Sequence, residues 1–279
     1  MPACYNTILV KDKHGILYRV PCGQCINCRM NKARQWSIRI MHEAKKYRQS
    51  AFVTLTYDDD HCPKDGSLNK KHLQDFFKRF RFNHKKQVRY FACGEYGDRT
   101  FRPHYHVAFF NVGFSDFKNL KPSKGGFMAR SNEWPFGLVH VGDLTIDSAN
   151  YVAGYVLKKQ TGKNSHVYED LGVEPPFCVM SRRPGIGFDY VEENREMLER
   201  NDFVVAKGVK YALPRYYKSK LNKYLHSVDY LKRNKDKIMS DVEKAKRQGK
   251  DYWLILDDEE KQLKADASSR LSMKGRNDV

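Results

Sequence analysis

The sequence lacks the features that mark a membrane-spanning protein, a secreted protein or a motor. No apolar run among its 279 residues approaches the ~18 residues of a membrane-spanning helix, and no N-terminal apolar stretch resembles a signal peptide. The Gly-x-x-x-x-Gly-Lys-Ser/Thr loop that cradles nucleotide phosphates is also absent. We therefore expect no membrane partner and no built-in ATP-driven motor.

Acidic residues are scarce relative to basic ones, with 33 Asp and Glu against 51 Lys and Arg and a formal net charge of +18. An excess of this size indicates a polyanionic partner, most often nucleic acid, because each neutralised phosphate releases counterions. An anionic membrane surface is the competing interpretation. Hydrophobic residues make up 41% of the chain, which is enough for a buried core in one or two domains.

The seven cysteines are an odd number, and without a secretory signal they favour a reducing compartment with free or metal-bound thiols. Cys22, Cys25 and Cys28 place three thiols within seven residues, a spacing typical of a structural zinc site. Candidates for a fourth ligand are Cys4, His14, Cys62 and Cys178. An iron–sulfur cluster and three unligated thiols are the alternatives.

Hydrophobic periodicity predicts an α+β fold with a central antiparallel sheet flanked by helices. Predicted strands cover residues 51–57, 88–95, 102–111 and 138–144, and residues 112–135 are predicted as a connection. The predicted helices are a basic one from Arg29 to about Gln49, one capped by Asn69 that carries Leu73, Phe76, Phe77 and Phe80, and one capped by Asp147 that ends near Gly162.

Three parts follow from this order of elements. Residues 1–50 form a Cys-bearing N-terminal segment with a basic helix packed on the core, and residues 51–162 form the core itself. Residues 163–279 form a basic, largely helical extension, with helices expected around 190–201 and 213–250.

His104 and His106 flank Tyr105 on a predicted strand, so both imidazoles project from one face and Tyr105 from the other. Two such rings, ~6–7 Å apart at Cβ, can share one divalent metal ion. If the preceding strand pairs across the turn at 96–102, parity puts Glu95 on the same face. Two histidines and a carboxylate leave open positions on an ion, as a catalytic site needs. The alternative is two structural histidines and a solvent-exposed glutamate.

Tyr151 and Tyr155 are four residues apart on a predicted helix and share a face, and Lys158 and Lys159 follow one turn later. A phenol is a poor nucleophile at its usual pKa of ~10. A metal ion that polarises the phosphate and a nearby ammonium that stabilises the phenolate would make the attack feasible. The alternative is a pair of tyrosines packed on the sheet.

These three pieces make the chain resemble the HUH endonucleases of the rolling-circle replication initiator type. Phe52-Val-Thr-Leu-Thr56, His104-Tyr-His106 and Tyr155-Val-Leu-Lys158 match that superfamily's three motifs in their order, and the second tyrosine resembles the two-tyrosine branch of microviruses. Pro21-Cys-Gly-Gln-Cys-Ile-Asn-Cys-Arg29 and Met180-Ser-Arg-Arg-Pro-Gly-Ile-Gly187 are similar to stretches of gokushovirus-type initiators. The resemblance covers about residues 20–190.

The resemblance implies Mg²⁺ or Mn²⁺ held by His104 and His106, with Glu95 as the third ligand. It implies Tyr155 and Tyr151 as nucleophiles, with Tyr155 making the opening cut and Lys158 in support. The expected activity is a single-strand nick at a viral origin, which leaves a 5′-phosphotyrosine link and a free 3′-hydroxyl for the host polymerase, with a host helicase as partner. The expected location is the cytoplasm of a bacterial host.

Cations interleaved with tyrosines follow the core, a pattern that suits a single-stranded nucleic acid. Arg182, Arg183 and Lys159 are the predicted DNA-binding residues. The further residues of this pattern are Lys207, Lys210, Tyr211, Arg215, Tyr216, Tyr217, Lys218, Lys220, Lys223 and Tyr224. A solvated basic helix is the alternative for this tail. For the whole chain, the rival function is a non-catalytic nucleic-acid-binding module with a structural zinc site, and an RNA-acting nuclease is a third.

Overall fold

The computed structural model describes residues 4–11, 17–158, 167–201, 203–206, 208–221, 240–249, 251, 254, 258–259, 261–262 and 264–266. The chain divides into two compact units, one formed by Met1–Asn31 with Glu199–Val279 and the other by Lys32–Leu198. In the described part of the chain, no helix is long and apolar enough to cross a membrane.

The strands in chain order are β1 (Ile8–Lys11), β2 (Leu17–Val20), β3 (Ser50–Tyr57), β4 (Arg89–Tyr96), β5 (Pro103–Phe110), β6 (Lys121–Ser123), β7 (Gly126–Ser131), β8 (Trp134–Asp143), β9 (Phe177–Met180), β10 (Phe203–Ala206) and β11 (Val209–Ala212). The helices are α1 (Ile26–Ala44), α2 (Lys70–His84), α3 (Ile146–Lys158), α4 (Val167–Asp170), α5 (Phe188–Glu193), α6 (Arg195–Arg200) and α7 (Arg215–Lys220), and residues 240–247 are also helical.

A seven-stranded antiparallel sheet forms the centre of the unit Lys32–Leu198, with the strand order β6-β7-β8-β3-β5-β4-β9. The predicted α+β fold is therefore confirmed. Strands β1 and β2 form a separate antiparallel pair, as do β10 and β11, and both pairs belong to the other unit.

Helix α2 covers one face of the sheet. Its apolar residues recur at helical spacing, and Leu73, Phe76, Phe77 and Phe80 are all buried against strand residues such as Phe109. The helix begins where predicted, because the Asn69 side chain accepts hydrogen bonds from the backbone N–H groups of Lys71 and His72.

Helices α1 and α3 cover the opposite face. Ile40 of α1 and Val152 of α3 share a buried cluster with Phe91, Ala108 and Phe110 of the sheet. Thr145 caps α3, because its hydroxyl accepts from the Ser148 N–H while the Ser148 hydroxyl accepts from the Thr145 N–H. The predicted cap at Asp147 was wrong. Asp147 lies within the first turn, where a carboxylate favours the helix dipole.

Several short strands escaped the sequence prediction. The predicted connection at 112–135 contains β6, β7 and the start of β8, and β9 forms the other edge of the sheet. Strands β1 and β6 are mostly exposed on both faces, so they show no alternation of apolar and polar residues. The predicted basic helix, α1, starts three residues early and ends at Ala44. Gly162 and residues 222–239 lie outside the described residues.

Candidate functional site

The register of three neighbouring strands builds the site. On the β4–β5 ladder Glu95 lies opposite His104, and on the β3–β5 ladder Thr54 lies opposite His106. Glu95, His104 and His106 therefore project from the face of the sheet that α1 and α3 cover, as the parity of the two strands predicts. Tyr105 points to the other face and is buried in the cluster around α2.

The three side chains meet at a single carboxylate oxygen. Glu95 Oε1 lies 2.9 Å from His104 Nε2 and 3.0 Å from His106 Nε2. One potential ligand atom from each residue lies within 4.8 Å of the other two. Glu95 and His106 are buried, and His104 is partly exposed, so the site is open at one side.

Hydrogen bonds behind the histidines fix which nitrogen faces the site. His104 Nδ1 lies 3.2 Å from the backbone oxygen of Arg102, which can only accept, so Nδ1 carries the proton. His106 Nδ1 lies 2.9 Å from Thr54 Oγ1. Nε2 of both rings faces Glu95, so without a cation an Nε2–H group can donate to the carboxylate. A cation bound at the site would instead meet the Nε2 lone pairs while Nδ1 holds the proton, which is the arrangement that metal-ligating histidines adopt.

The donor set fits a divalent cation. Two imidazole nitrogens and one carboxylate oxygen occupy part of a coordination sphere and leave positions for water or substrate. The two imidazoles make this donor set softer than the all-oxygen shell that Mg²⁺ prefers.

The electrostatics keep Glu95 ionised. Burial by itself would raise the pKa of Glu95, but hydrogen bonds from His104, His106 and Tyr155 outweigh burial and hold the pKa below its usual range. The carboxylate is therefore available as a negatively charged ligand at neutral pH.

Both tyrosines of α3 pack on this cluster. The Tyr155 ring stacks on the His106 ring with centroids 5.4 Å apart, and the Tyr151 ring meets the same imidazole edge-on at 5.0 Å. The two tyrosine rings lie 5.0 Å apart at nearly a right angle. Phe52 of β3 closes the group by stacking on His106 at 5.5 Å.

The two tyrosines differ in exposure. Tyr155 is 5% exposed and its hydroxyl donates to Glu95, whereas Tyr151 is 50% exposed. Burial, together with the hydrogen bond to the Glu95 carboxylate, raises the pKa of Tyr155 far above its usual value. The phenol of Tyr155 therefore stays protonated unless a cation at the site offsets the negative charge of Glu95.

The structure describes only some of the remaining predicted site residues. Lys158 is the last residue of α3, but its side chain is outside the described part of the structure, and Lys159 lies outside the described residues. Arg182 and Arg183 are exposed in the segment after β9, the strand next to the one that carries Glu95.

Thr54 was not predicted to have a role, although it belongs to the Thr-Leu-Thr stretch that the resemblance singled out. Its contact with His106 depends on the β3–β5 register, which joins residues 52 positions apart. The only local signal was the motif itself.

The structure brings the predicted cysteine group together with a fourth thiol. Cys4, Cys22, Cys25 and Cys28 each place a sulfur within 4.8 Å of the other three. Of the other candidates, Cys62 packs against the core cluster around α2 and Cys178 lies opposite Cys93 on the β4–β9 ladder. His14 lies outside the described residues.

Comparison with known proteins points to a single family. The family model described as Replication-associated protein ORF2/G2P matches residues 50–160. The replication-associated protein ORF2 of Spiroplasma virus 4 is 31% identical over 267 residues, which cover 88% of this chain and 82% of that protein.

Two further phage proteins similar to this chain are also replication-associated proteins. The replication-associated protein VP4 of Bdellovibrio phage phiMH2K is 34% identical over 72% of this chain and 66% of its own length. The replication-associated protein ORF4 of Chlamydia phage 1 is 27% identical over 74% of this chain and 54% of its own length. No solved structure matches the chain significantly.

The extent of these matches defines the class: the chain belongs to the family of viral replication-associated proteins. Within that class it is a rolling-circle replication initiator of the microvirus type, so the resemblance seen in the sequence is confirmed. A role in the initiation of viral DNA replication follows.

Proposed function

We propose that the protein nicks one DNA strand at the viral origin by transesterification to a tyrosine of α3. The products are a 5′-phosphotyrosine link and a free 3′-hydroxyl, from which the host polymerase extends. The observation that carries this proposal is the packing of Tyr151 and Tyr155 on His106, above the oxygen of Glu95 that His104 and His106 share.

Glu95, His104 and His106 would hold one divalent cation, Mn²⁺ or Mg²⁺. When bound, such an ion polarises the scissile phosphate and stabilises the leaving oxygen. Thr54 and the Arg102 carbonyl hold the imidazoles in the required orientation from behind.

The tyrosines are the proposed nucleophiles, and they differ in exposure and in their hydrogen bonds before the reaction. Tyr151 is half exposed, so a DNA strand can approach its ring, and its side chain is hydrogen-bonded to that of Tyr155. Tyr155 must give up its hydrogen bond to Glu95 before it can attack. We keep Tyr155 for the opening cut, because Lys158 follows it by one helical turn, and the variants below test that order.

Two tyrosines explain how a genome circle is released without ATP. Each transesterification exchanges one phosphodiester for another, so the bond energy is kept in the covalent link. While one tyrosine holds the first 5′ end, the other attacks the regenerated origin and releases a 3′-hydroxyl. That hydroxyl attacks the first phosphotyrosine, which closes the circle and frees the first tyrosine. The absence of a nucleotide-phosphate loop from the sequence agrees with this scheme.

The protein acts in the host cytoplasm with a host helicase. Its DNA binding depends on the positive charge of the chain. We assign backbone contacts to the exposed Arg182 and Arg183, to Lys159, and more broadly to the basic extension 163–279. Because many cations share this task, binding weakens with added salt and depends little on any one of them.

Covalent trapping tests the nuclease activity. An origin-bearing single strand is incubated with Mn²⁺ and the parent protein, Tyr151→Phe, Tyr155→Phe or the double variant, and the products are separated on a denaturing gel. We expect no adduct from the double variant, and adduct with poor circle release from at least one single variant. Tyr168→Phe is the control, because its ring stacks on Tyr96 and takes no part in the site.

Two results contradict the assignment. An adduct formed by the double variant would place the nucleophile elsewhere in the chain. Nicking and rejoining at the parent rate by Tyr155→Phe would remove Tyr155 from the opening cut. DNA binding by the parent protein with no adduct under any metal condition would instead favour the non-catalytic binding module, the candidate that the cysteine group supports.

A further inference from the structure

Four cysteine sulfurs converge at the beginning of the chain, in the unit that contains Met1–Asn31. Cys4 Sγ lies 3.6 Å from Cys22 Sγ and 3.7 Å from Cys25 Sγ, and Cys28 completes the group. A disulfide needs ~2.05 Å between its sulfurs, so these distances do not describe one. A tetrahedron with metal–sulfur bonds of ~2.3 Å has edges of ~3.8 Å, which matches the spacing of these thiols.

Backbone amides point at the same sulfurs. The N–H groups of Gln24 and Cys25 donate to Cys22 Sγ at 3.4 and 3.2 Å, the Cys28 N–H donates to Cys25 Sγ at 3.5 Å, and the Cys22 N–H donates to Cys4 Sγ at 3.3 Å. N–H groups in these positions would also stabilise the negative charge of metal-bound thiolates.

The β1–β2 pair buries little apolar surface among its described residues. Strands β1 and β2 form an isolated two-stranded pair, and Ile8 and Leu9 are 49% and 53% exposed. Two-stranded hairpins are marginal in water, and small elements with little buried apolar surface rely on a disulfide or a metal. Cys4 precedes β1 and Cys22 follows β2, so a link between them closes the open end of the hairpin.

We propose that Cys4, Cys22, Cys25 and Cys28 bind one zinc ion in a tetrathiolate site. The four protein ligands fill the tetrahedral shell, so the role is structural. The ion ties the base of the β1–β2 pair to Cys28 in the first turn of α1. A four-iron cluster separates its cysteine ligands by several inorganic atoms and therefore needs a wider arrangement than these sulfurs form. This site does not depend on the proposed nuclease activity.

Elemental analysis of the full-length chain tests the proposal. The protein is purified under reducing conditions as the His104→Ala/His106→Ala variant, so that the second candidate metal group cannot contribute. We expect about one zinc per chain, with no iron. Adding Cys4→Ser should weaken zinc retention against a competing chelator at least about tenfold, because one of four bonds is lost. Cys62→Ser is the matched control, because Cys62 packs against the sheet core and not in the thiol group.

A measurement without cysteine substitutions covers the case in which Cys4→Ser fails to fold. Metal-free protein of the His104→Ala/His106→Ala variant is titrated with Co²⁺. We expect the intense visible absorption and sulfur-to-metal charge-transfer bands of tetrahedral thiolate coordination, saturating at one ion per chain. Zinc should then displace the cobalt. Protein that contains iron or no metal, octahedral cobalt spectra, or equal zinc loss from Cys62→Ser and Cys4→Ser would each overturn the proposal.

Discussion

Thr54 is the most sensitive point at which to test the candidate metal site, because it supports a ligand without touching the ion. Its hydroxyl lies 2.9 Å from His106 Nδ1, and His106 is buried. When His106 Nε2 binds an ion, Nδ1 carries the proton and donates it to Thr54 Oγ1. Thr54→Val keeps the shape of the side chain and removes that acceptor.

The structure sets the size of the effect. A buried donor left without a partner costs about 1–3 kcal/mol. At about 1.36 kcal/mol per factor of ten, this corresponds to a loss of about 5-fold to about 150-fold in affinity for Mn²⁺. The loss appears in the metal complex, because without an ion the ring can place its proton on Nε2, where Glu95 accepts it.

Thr56 provides a matched control on the same strand and the same face. It lies opposite His104 in the register, but its hydroxyl donates to the Leu138 carbonyl at 3.3 Å and does not bond to an imidazole. Thr56→Val should therefore change Mn²⁺ affinity less than about threefold, since only a partly exposed hydrogen bond is lost. Thr54→Ser, which restores the acceptor, should recover most of the parent affinity.

The assay is calorimetric titration of Mn²⁺ into each full-length variant, followed by the Mn²⁺ dependence of origin nicking at constant DNA. Thermal unfolding in the absence of metal checks that all variants fold. Unchanged Mn²⁺ affinity in Thr54→Val, or equal losses in Thr54→Val and Thr56→Val, would refute the assignment of Thr54 as the residue that positions His106.

Other predictions concern stability and are measured by denaturant unfolding. Phe76→Ala should lower the free energy of unfolding by about 3–5 kcal/mol, because the ring is fully buried under the sheet, whereas Phe82→Ala on the same helix should stay within about 0.5 kcal/mol, since Phe82 is 83% exposed. Asn69→Ala should cost about 1 kcal/mol through loss of the α2 cap, and Asn69→Asp should restore most of it. Burial lowers the pKa of His42 from 6.5 to about 3, so protonation favours the unfolded chain as the pH falls below about 6.5. Between about pH 7.5 and pH 5 the loss through this group is about 2 kcal/mol, and it should disappear in His42→Phe, which keeps a ring stacked on Tyr190. Equal pH dependence in His42→Phe and the parent would contradict this reasoning.

Local periodicity decided which side chains share a face, and this could be predicted from the sequence. Residues two apart on a strand and four apart on a helix point the same way whatever surrounds them. The sequence therefore predicts that His104 shares a face with His106, and Tyr151 with Tyr155. The parity of a short hairpin extended this to Glu95, because either register places it on the histidine face.

Short edge strands could not be predicted, because their patterns carry too little information. Strand β6 is exposed on both faces, and β9 spans four residues, so neither shows a periodicity that separates a strand from a loop. Strand β6 pairs with β7, which was itself missed, and β9 pairs with β4, which was predicted as a strand.

The tertiary structure alone decided the contacts between distant segments. The pairing of Thr54 with His106 depends on the β3–β5 register. The closeness of Cys4 to Cys22 depends on how the β1–β2 pair returns the chain to Cys22. Tyr155 is buried against Glu95 while Tyr151 stays half exposed, and the i, i+4 spacing does not specify this difference. Such contacts depend on how whole helices and strands pack together, and a local pattern of residues does not predict that packing.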